Sequence, residues 1–255
     1  IREENIMNGR KTQMVFGVAL LIAGIATPVV VAQEVIQGVE IPQPTVPENF
    51  TAMGVFTRLA YNNEGWATLG YRTANGSQGK DWILLEVGVT VIKPAPNQTM
   101  TRDSFAVKLP DGSMVPLASQ QEFAAAGYLR GMVRRGDANN DSIDYFPNRT
   151  AQGCPMILFS DPASGSGALA FDQFEISWQR ACVGRQFFKL PEGQTIEPGQ
   201  YWLVVKFAGS TVEVPFRIMT KQEEKWFKKN WKNVKKDHDA ITKQKAAEAK
   251  AQQQQ

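Results

Sequence analysis

The residues whose types and spacing best suit a cation run from Asp137 to Asp144. In Gly136-Asp137-Ala138-Asn139-Asn140-Asp141-Ser142-Ile143-Asp144, side-chain oxygens fall at alternate positions on Asp137, Asn139 and Asp141, with Asp144 close behind. EF-hand and dockerin loops wrap calcium with oxygen ligands spaced in this way. Three departures weigh against it: Ser142 stands where a glycine is wanted, Ile143 arrives one residue early, and Asn148 replaces the bidentate glutamate. The competing reading is a polar surface loop, rich in Asp and Asn because these side chains cap and turn the backbone. Calcium is therefore the one cofactor candidate, as a weak site, and no other cofactor is expected.

A single histidine, His238, lies in the charged C-terminal tail. Ser-His-Asp and Cys-His catalysis need an imidazole beside the nucleophile, and zinc sites draw on several His or Cys ligands. With two cysteines, Cys154 and Cys182, four-cysteine zinc and iron–sulfur sites are also excluded. Carboxylate-pair hydrolysis remains as the catalytic alternative, but no spacing selects a pair.

The cysteines read differently once the N-terminus is considered. Met7 is followed by Arg10 and Lys11, an apolar run from Met14 to Ala26, and the small-residue exit Val30-Val31-Ala32. This order matches a leader and signal peptide over residues 1–32, with the mature chain exported to the periplasm or beyond the cell. An uncleaved anchor over Met14 to Ala32 is the competing reading. In an oxidising compartment Cys154 and Cys182 are expected to form a disulfide, worth about 3–4 kcal/mol on the chain-entropy model.

These groups must be positioned by the rest of the chain. Residues 33–48, with prolines at 42, 44 and 47, suit an extended linker. From 49 to 219 the pattern is β. Ile83, Leu85, Val87 and Val89 alternate with a mixed face; Phe105 and Val107 precede a Pro110-Asp111-Gly112 turn. Leu203, Val205, Val214 and Phe216 face one another across a hairpin turned at Gly209-Ser210. Weaker strands are expected at 54–61, 66–73, 156–159 and 171–180. Residues 119–135 break the pattern and predict one helix, the start of an insertion reaching about 167. The fold class is mainly β, an antiparallel two-sheet sandwich with a helical and irregular insertion and a C-terminal helix.

The stretches WILLEVGVTVIKPAPNQTMTRDSFAVKLPDGSMVPL and PGQYWLVVKFAGSTVEVPFRI resemble the immunoglobulin-like sandwich domains of exported bacterial proteins of uncharacterised function. The resemblance implies a sandwich and brings no catalytic residue with it.

In the tail, Thr220-Lys-Gln-Glu223 has the form of a capping box, so a helix is predicted from Lys221 to at least Lys243. Phe227, Trp231, Val234, His238 and Ile241 share one stripe at spacings of 4, 3, 4 and 3. Residues 221–255 hold ten lysines against five acidic residues. The expectation is a helix projecting from the body, whose stripe binds a protein partner or a second copy; the alternative is a stripe folded back onto the chain's own sheets. Membrane contact comes second, and the charge is too modest for a nucleic-acid binder. The function expected is a non-catalytic exported binding or assembly module, an accessory subunit of an envelope or extracellular complex.

Overall fold

The computed structural model describes residues 38–43, 49–139, 141–147, 153–160 and 169–252. The leader and signal segment expected at 1–32 lies outside them. In chain order the elements are β1 (Asn49–Ala52), β2 (Thr57–Tyr61), β3 (Gly65–Gly70), α1 (Arg72–Asn75), β4 (Trp82–Val91), β5 (Gln98–Thr101), β6 (Phe105–Lys108) and β7 (Met114–Pro116). There follow α2 (Gln120–Ala125), α3 (Leu129–Ala138), β8 (Cys154–Pro155), β9 (Gln173–Ile176), β10 (Cys182–Lys189), β11 (Gly199–Lys206), β12 (Thr211–Ile218) and α4 (Lys221–Gln252).

Three sheets result. The largest runs β1-β2-β3-β4-β10-β8, the second β12-β11-β6-β7, and β5 pairs with β9 alone. Strands pair antiparallel except β8, which runs parallel to β10. The alternation read along β4 is what fixes the inside. Ile83, Leu85, Val87 and Val89 enter one core with Phe105, Val107, Leu203, Val205, Val214 and Phe216, each at most 1% exposed. A register slip of one residue would send all of them to the other face, so this core pins both large sheets.

The Pro110-Asp111-Gly112 turn forms as expected, with Gly112 at φ +86 and the Asp111 carboxylate accepting from the Ser113 N–H at 2.9 Å. The last hairpin turns one residue earlier than expected. Phe207 N–H donates to the Ser210 carbonyl, which leaves Ala208-Gly209 at the corner. Glu64 sets this position, because its carboxylate accepts from the Gly209 N–H at 3.0 Å and the Ser210 hydroxyl at 2.6 Å.

Other expectations need correction. The helix expected over 119–135 is two helices: α2 is capped reciprocally by Ser119 and Glu122, and the chain breaks at 126–128 before α3. Residues 156–159 form no strand. The strand β10, which sits between β4 and β8, was not anticipated. Within the expected linker, Val39 and Ile41 are buried in the main core, so residues 38–43 are packed.

Candidate functional site

The outer face of β4 reads Trp82, Leu84, Glu86, Gly88, Thr90, and each position meets a different cover. Trp82 and Leu84 form a second apolar cluster with Ala118, Phe123, Leu129, Met132 and Phe187, under α2 and α3. Gly88 leaves room for the Phe146 ring, since a Cβ there would lie 2.6 Å from it. The Trp66 ring N–H donates to the Tyr145 carbonyl at 2.8 Å. The insertion is thus the outer layer of the large sheet.

Beside this cover lies a groove of about 500 Å³ between α2, α3 and residues 156–159. Its floor is an aromatic triad drawn from three distant segments. Phe123 and Phe187 have ring centroids 4.6 Å apart, Phe159 and Phe187 5.0 Å, and Phe123 and Phe159 5.2 Å. Such tilted and edge-on contacts suit the ring quadrupoles. Arg102 braces the wall: its guanidinium lies 4.8 Å over Phe159, and it donates to the Ala118 carbonyl at 2.9 Å and to the Leu158 carbonyl. Gln120 and Ser160 close the same wall with a reciprocal pair, Gln120 Nε2 to the Ser160 carbonyl at 2.7 Å and Ser160 N–H to Gln120 Oε1 at 3.0 Å. Exposed Arg130 and Arg134 of α3 and half-buried Arg185 of β10 also line it, and among the described residues no carboxylate does.

The disulfide is formed. Cys154 and Cys182 are partners in the β8/β10 register, with Cα atoms 4.4 Å apart. Because β8 leads directly into Met156, Ile157 and Phe159, the bond also holds the groove's third wall to the sheet.

The oxygen-rich loop goes elsewhere. Asp137 sits at the end of α3 and pairs with Arg185 at 2.7 Å. Asp141 takes both arms of Arg72, at 3.0 Å and 2.5 Å, while its own N–H donates to Glu86 Oε2 at 3.2 Å. Asn139 Nδ2 donates to the Arg135 carbonyl, and Asp144 is exposed. Of the four residues singled out for calcium, Asp137 and Asp141 therefore face separate arginines. Among the described residues no group of three or more His, Cys, Asp or Glu could hold a metal ion, and Asn148 lies outside them. The network instead staples the insertion to the sheet. Glu86 faces its cross-strand partner Arg185 at 4.0 Å, and burial pushes its carboxyl above the usual range, partly offset by the Asp141 N–H and Arg185.

The C-terminal helix starts as the capping box requires, with Thr220 N–H donating to Glu223 at 2.7 Å and Glu223 N–H to the Thr220 hydroxyl at 3.1 Å. Its stripe does not project. Phe227 and His238 are buried at 1% and 3% exposure, Trp231 and Val234 are half-buried against the main core, and Ile241 alone of the five is exposed. Phe50 of β1 meets His238 edge-on at 5.2 Å. The chain's own residues 38–43 and β1 cover the stripe, so Phe227 and His238 are closed to a partner.

No family model, curated protein or solved structure matches this chain.

The groove was not legible in the sequence. Phe123 was read as part of a helix, but Phe159 and Phe187 carried no periodic signal linking them to it. The available clue was Arg130 and Arg134, four residues apart and so on one helix face.

Proposed function

We propose that this chain is a non-catalytic exported binding or assembly module, an accessory subunit of a cell-envelope or extracellular complex, and that it binds through the groove. The observation that carries this reading is the lining itself: largely buried aromatic and aliphatic side chains beside the exposed Arg130 and Arg134. These groups can bury apolar surface and attract an anion, but none is a nucleophile or a carboxyl acid–base pair. The disulfide supports export to an oxidising compartment, and among the described residues no helix is long and apolar enough to cross a membrane. Two large sheets about one core, antiparallel but for the short β8, support the immunoglobulin-like comparison at the level of architecture. Assembly through α4 then rests on its distal part, from Ile241 onward.

The test is native mass spectrometry of the protein recovered from its own exporting host, beside Gly127→Trp, which places an indole in the groove. A Cβ at Gly127 meets nothing within 4 Å, so the backbone there has room to carry a side chain. The wild type should carry an added mass that Gly127→Trp lacks. A wild type with no adduct, or turnover of glycosides or esters by the purified protein, would contradict the proposal.

A further inference from the structure

We propose that the groove binds a free long-chain carboxylate, a fatty-acid-type anion, with the alkyl chain on the Phe123, Phe159 and Phe187 rings and the headgroup at Arg134. This deepens the binding-module reading and rests on it.

The size is the first argument. About 500 Å³ lies within the range of sites for single small ligands, roughly 300–1,000 Å³. The second is the order of chemistry along the groove. Phe123, Leu129, Met156 and Phe187 are buried while Arg130 and Arg134 are exposed, a polarity that suits an alkyl chain ending in an anion. The third is the sign of that charge. Arg134 is exposed on α3 one turn from Arg130, whereas Arg185, on β10, already holds Asp137 at 2.7 Å. A new carboxylate is therefore offered the α3 side, where a guanidinium can meet it bidentately.

A peptide fits less well. Strand addition needs an open sheet edge, but β8 is two residues long, and just beyond it the Ile157 carbonyl already accepts from the Phe171 N–H at 2.8 Å.

The experiment is calorimetric titration of the full mature chain with octanoate, decanoate and laurate below their micelle concentrations. Dodecyltrimethylammonium, with the same chain as laurate and the opposite charge, is the control. Laurate should bind one to one, and affinity should rise about fourfold per added methylene as apolar area is buried. Arg134→Glu should weaken laurate by about tenfold or more, and Gly127→Trp should abolish binding. Both variants should keep the wild-type melting temperature within a few degrees; Ala124→Trp, on the exposed face of α2, replaces Gly127→Trp if that variant melts early.

No saturable binding of laurate would overturn the proposal. So would dodecyltrimethylammonium binding as tightly as laurate, laurate binding undiminished in the filled-groove variants, or binding to anionic phospholipid vesicles with none to free laurate. The two readings fail separately. Should laurate not bind while the native adduct still disappears in Gly127→Trp, the ligand class is wrong and the module reading stands; with no native adduct, the module reading falls as well.

Discussion

The side-chain amide of Gln43 donates to Nδ1 of His238 at 2.8 Å, so the chain's one histidine ties residues 38–43 to α4. The ring's Nε2 is buried without a hydrogen-bond partner among the described residues. Burial, helped by the nearby cations Arg58, Lys235 and Lys245 and opposed by Asp239, pushes its pKa down to about 4.

The sign of the pH effect follows. His238 titrates near 6.5 in the unfolded chain and near 4 in the folded one, so between these values the unfolded chain binds the extra proton. Stability is unaffected above about pH 6.5 and falls by about 3 kcal/mol on descending to pH 4. Urea midpoints of wild type and His238→Leu should diverge in this window, with the wild type losing more. Equal losses would show that the histidine does not carry the effect.

Phe227 is 1% exposed and belongs to the main core, so α4 is an integral part of the body. Phe227→Ala should cost about 3–5 kcal/mol, measured by denaturant unfolding. Truncation after Ala240 should leave the midpoint nearly unchanged, and truncation after Thr220 should lower it steeply. A fully stable 1–220 chain would contradict this packing.

Arg58 is a buried cation whose partners are the Gly54, Val55 and Thr57 carbonyls and the Tyr71 hydroxyl, the last at 2.7 Å. The Tyr71 hydroxyl in turn donates a hydrogen bond to the Val55 carbonyl at 3.0 Å. Tyr71→Phe leaves a buried guanidinium N–H unmet and should cost about 1–3 kcal/mol. A change below about 0.5 kcal/mol would show that water or a shifted carbonyl replaces the phenol.

Cys154 and Cys182 should stabilise the fold by about 3–4 kcal/mol on the chain-entropy model. Reduction, or Cys154→Ala with Cys182→Ala, should lower the urea midpoint accordingly. Because the bond anchors the segment bearing Met156 and Phe159, hydrogen exchange at Met156 to Phe159 should accelerate more than exchange in β11. Uniform acceleration would deny that local role.

Much of the fold was legible where a strand has one clean apolar face. Ile83 to Val89 and Leu203 to Phe216 declare their inside by alternation alone. The strand β10 was missed because three of its outward residues, Val183, Arg185 and Phe187, are covered or paired by the insertion, which blurs the period. Its Arg185 makes sense only opposite Glu86. The Asp137 to Asp144 run looked like a cation loop because its composition is right. Two of its carboxylates, Asp141 and Asp137, pair with the guanidinium groups of Arg72 and Arg185, and nothing local to the loop foretells these partners. The stripe on α4 was legible as a stripe, but its cover was not, since Val39, Ile41 and Gln43 sit in a segment that proline content marks as a linker. The groove needed three phenylalanines from separate segments, a coincidence that only the tertiary fold creates.

If the groove is where this chain binds, site-specific photo-crosslinking will capture the occupant there. A photoreactive side chain is placed at Val133, which lines the groove, or at exposed Lys243 on distal α4, and the protein is irradiated in the cells that produce it. The account predicts a discrete adduct from position 133, lost when Gly127→Trp is added, and no matching adduct from position 243. The same adduct from both positions, or none from position 133 with or without the tryptophan, would contradict it.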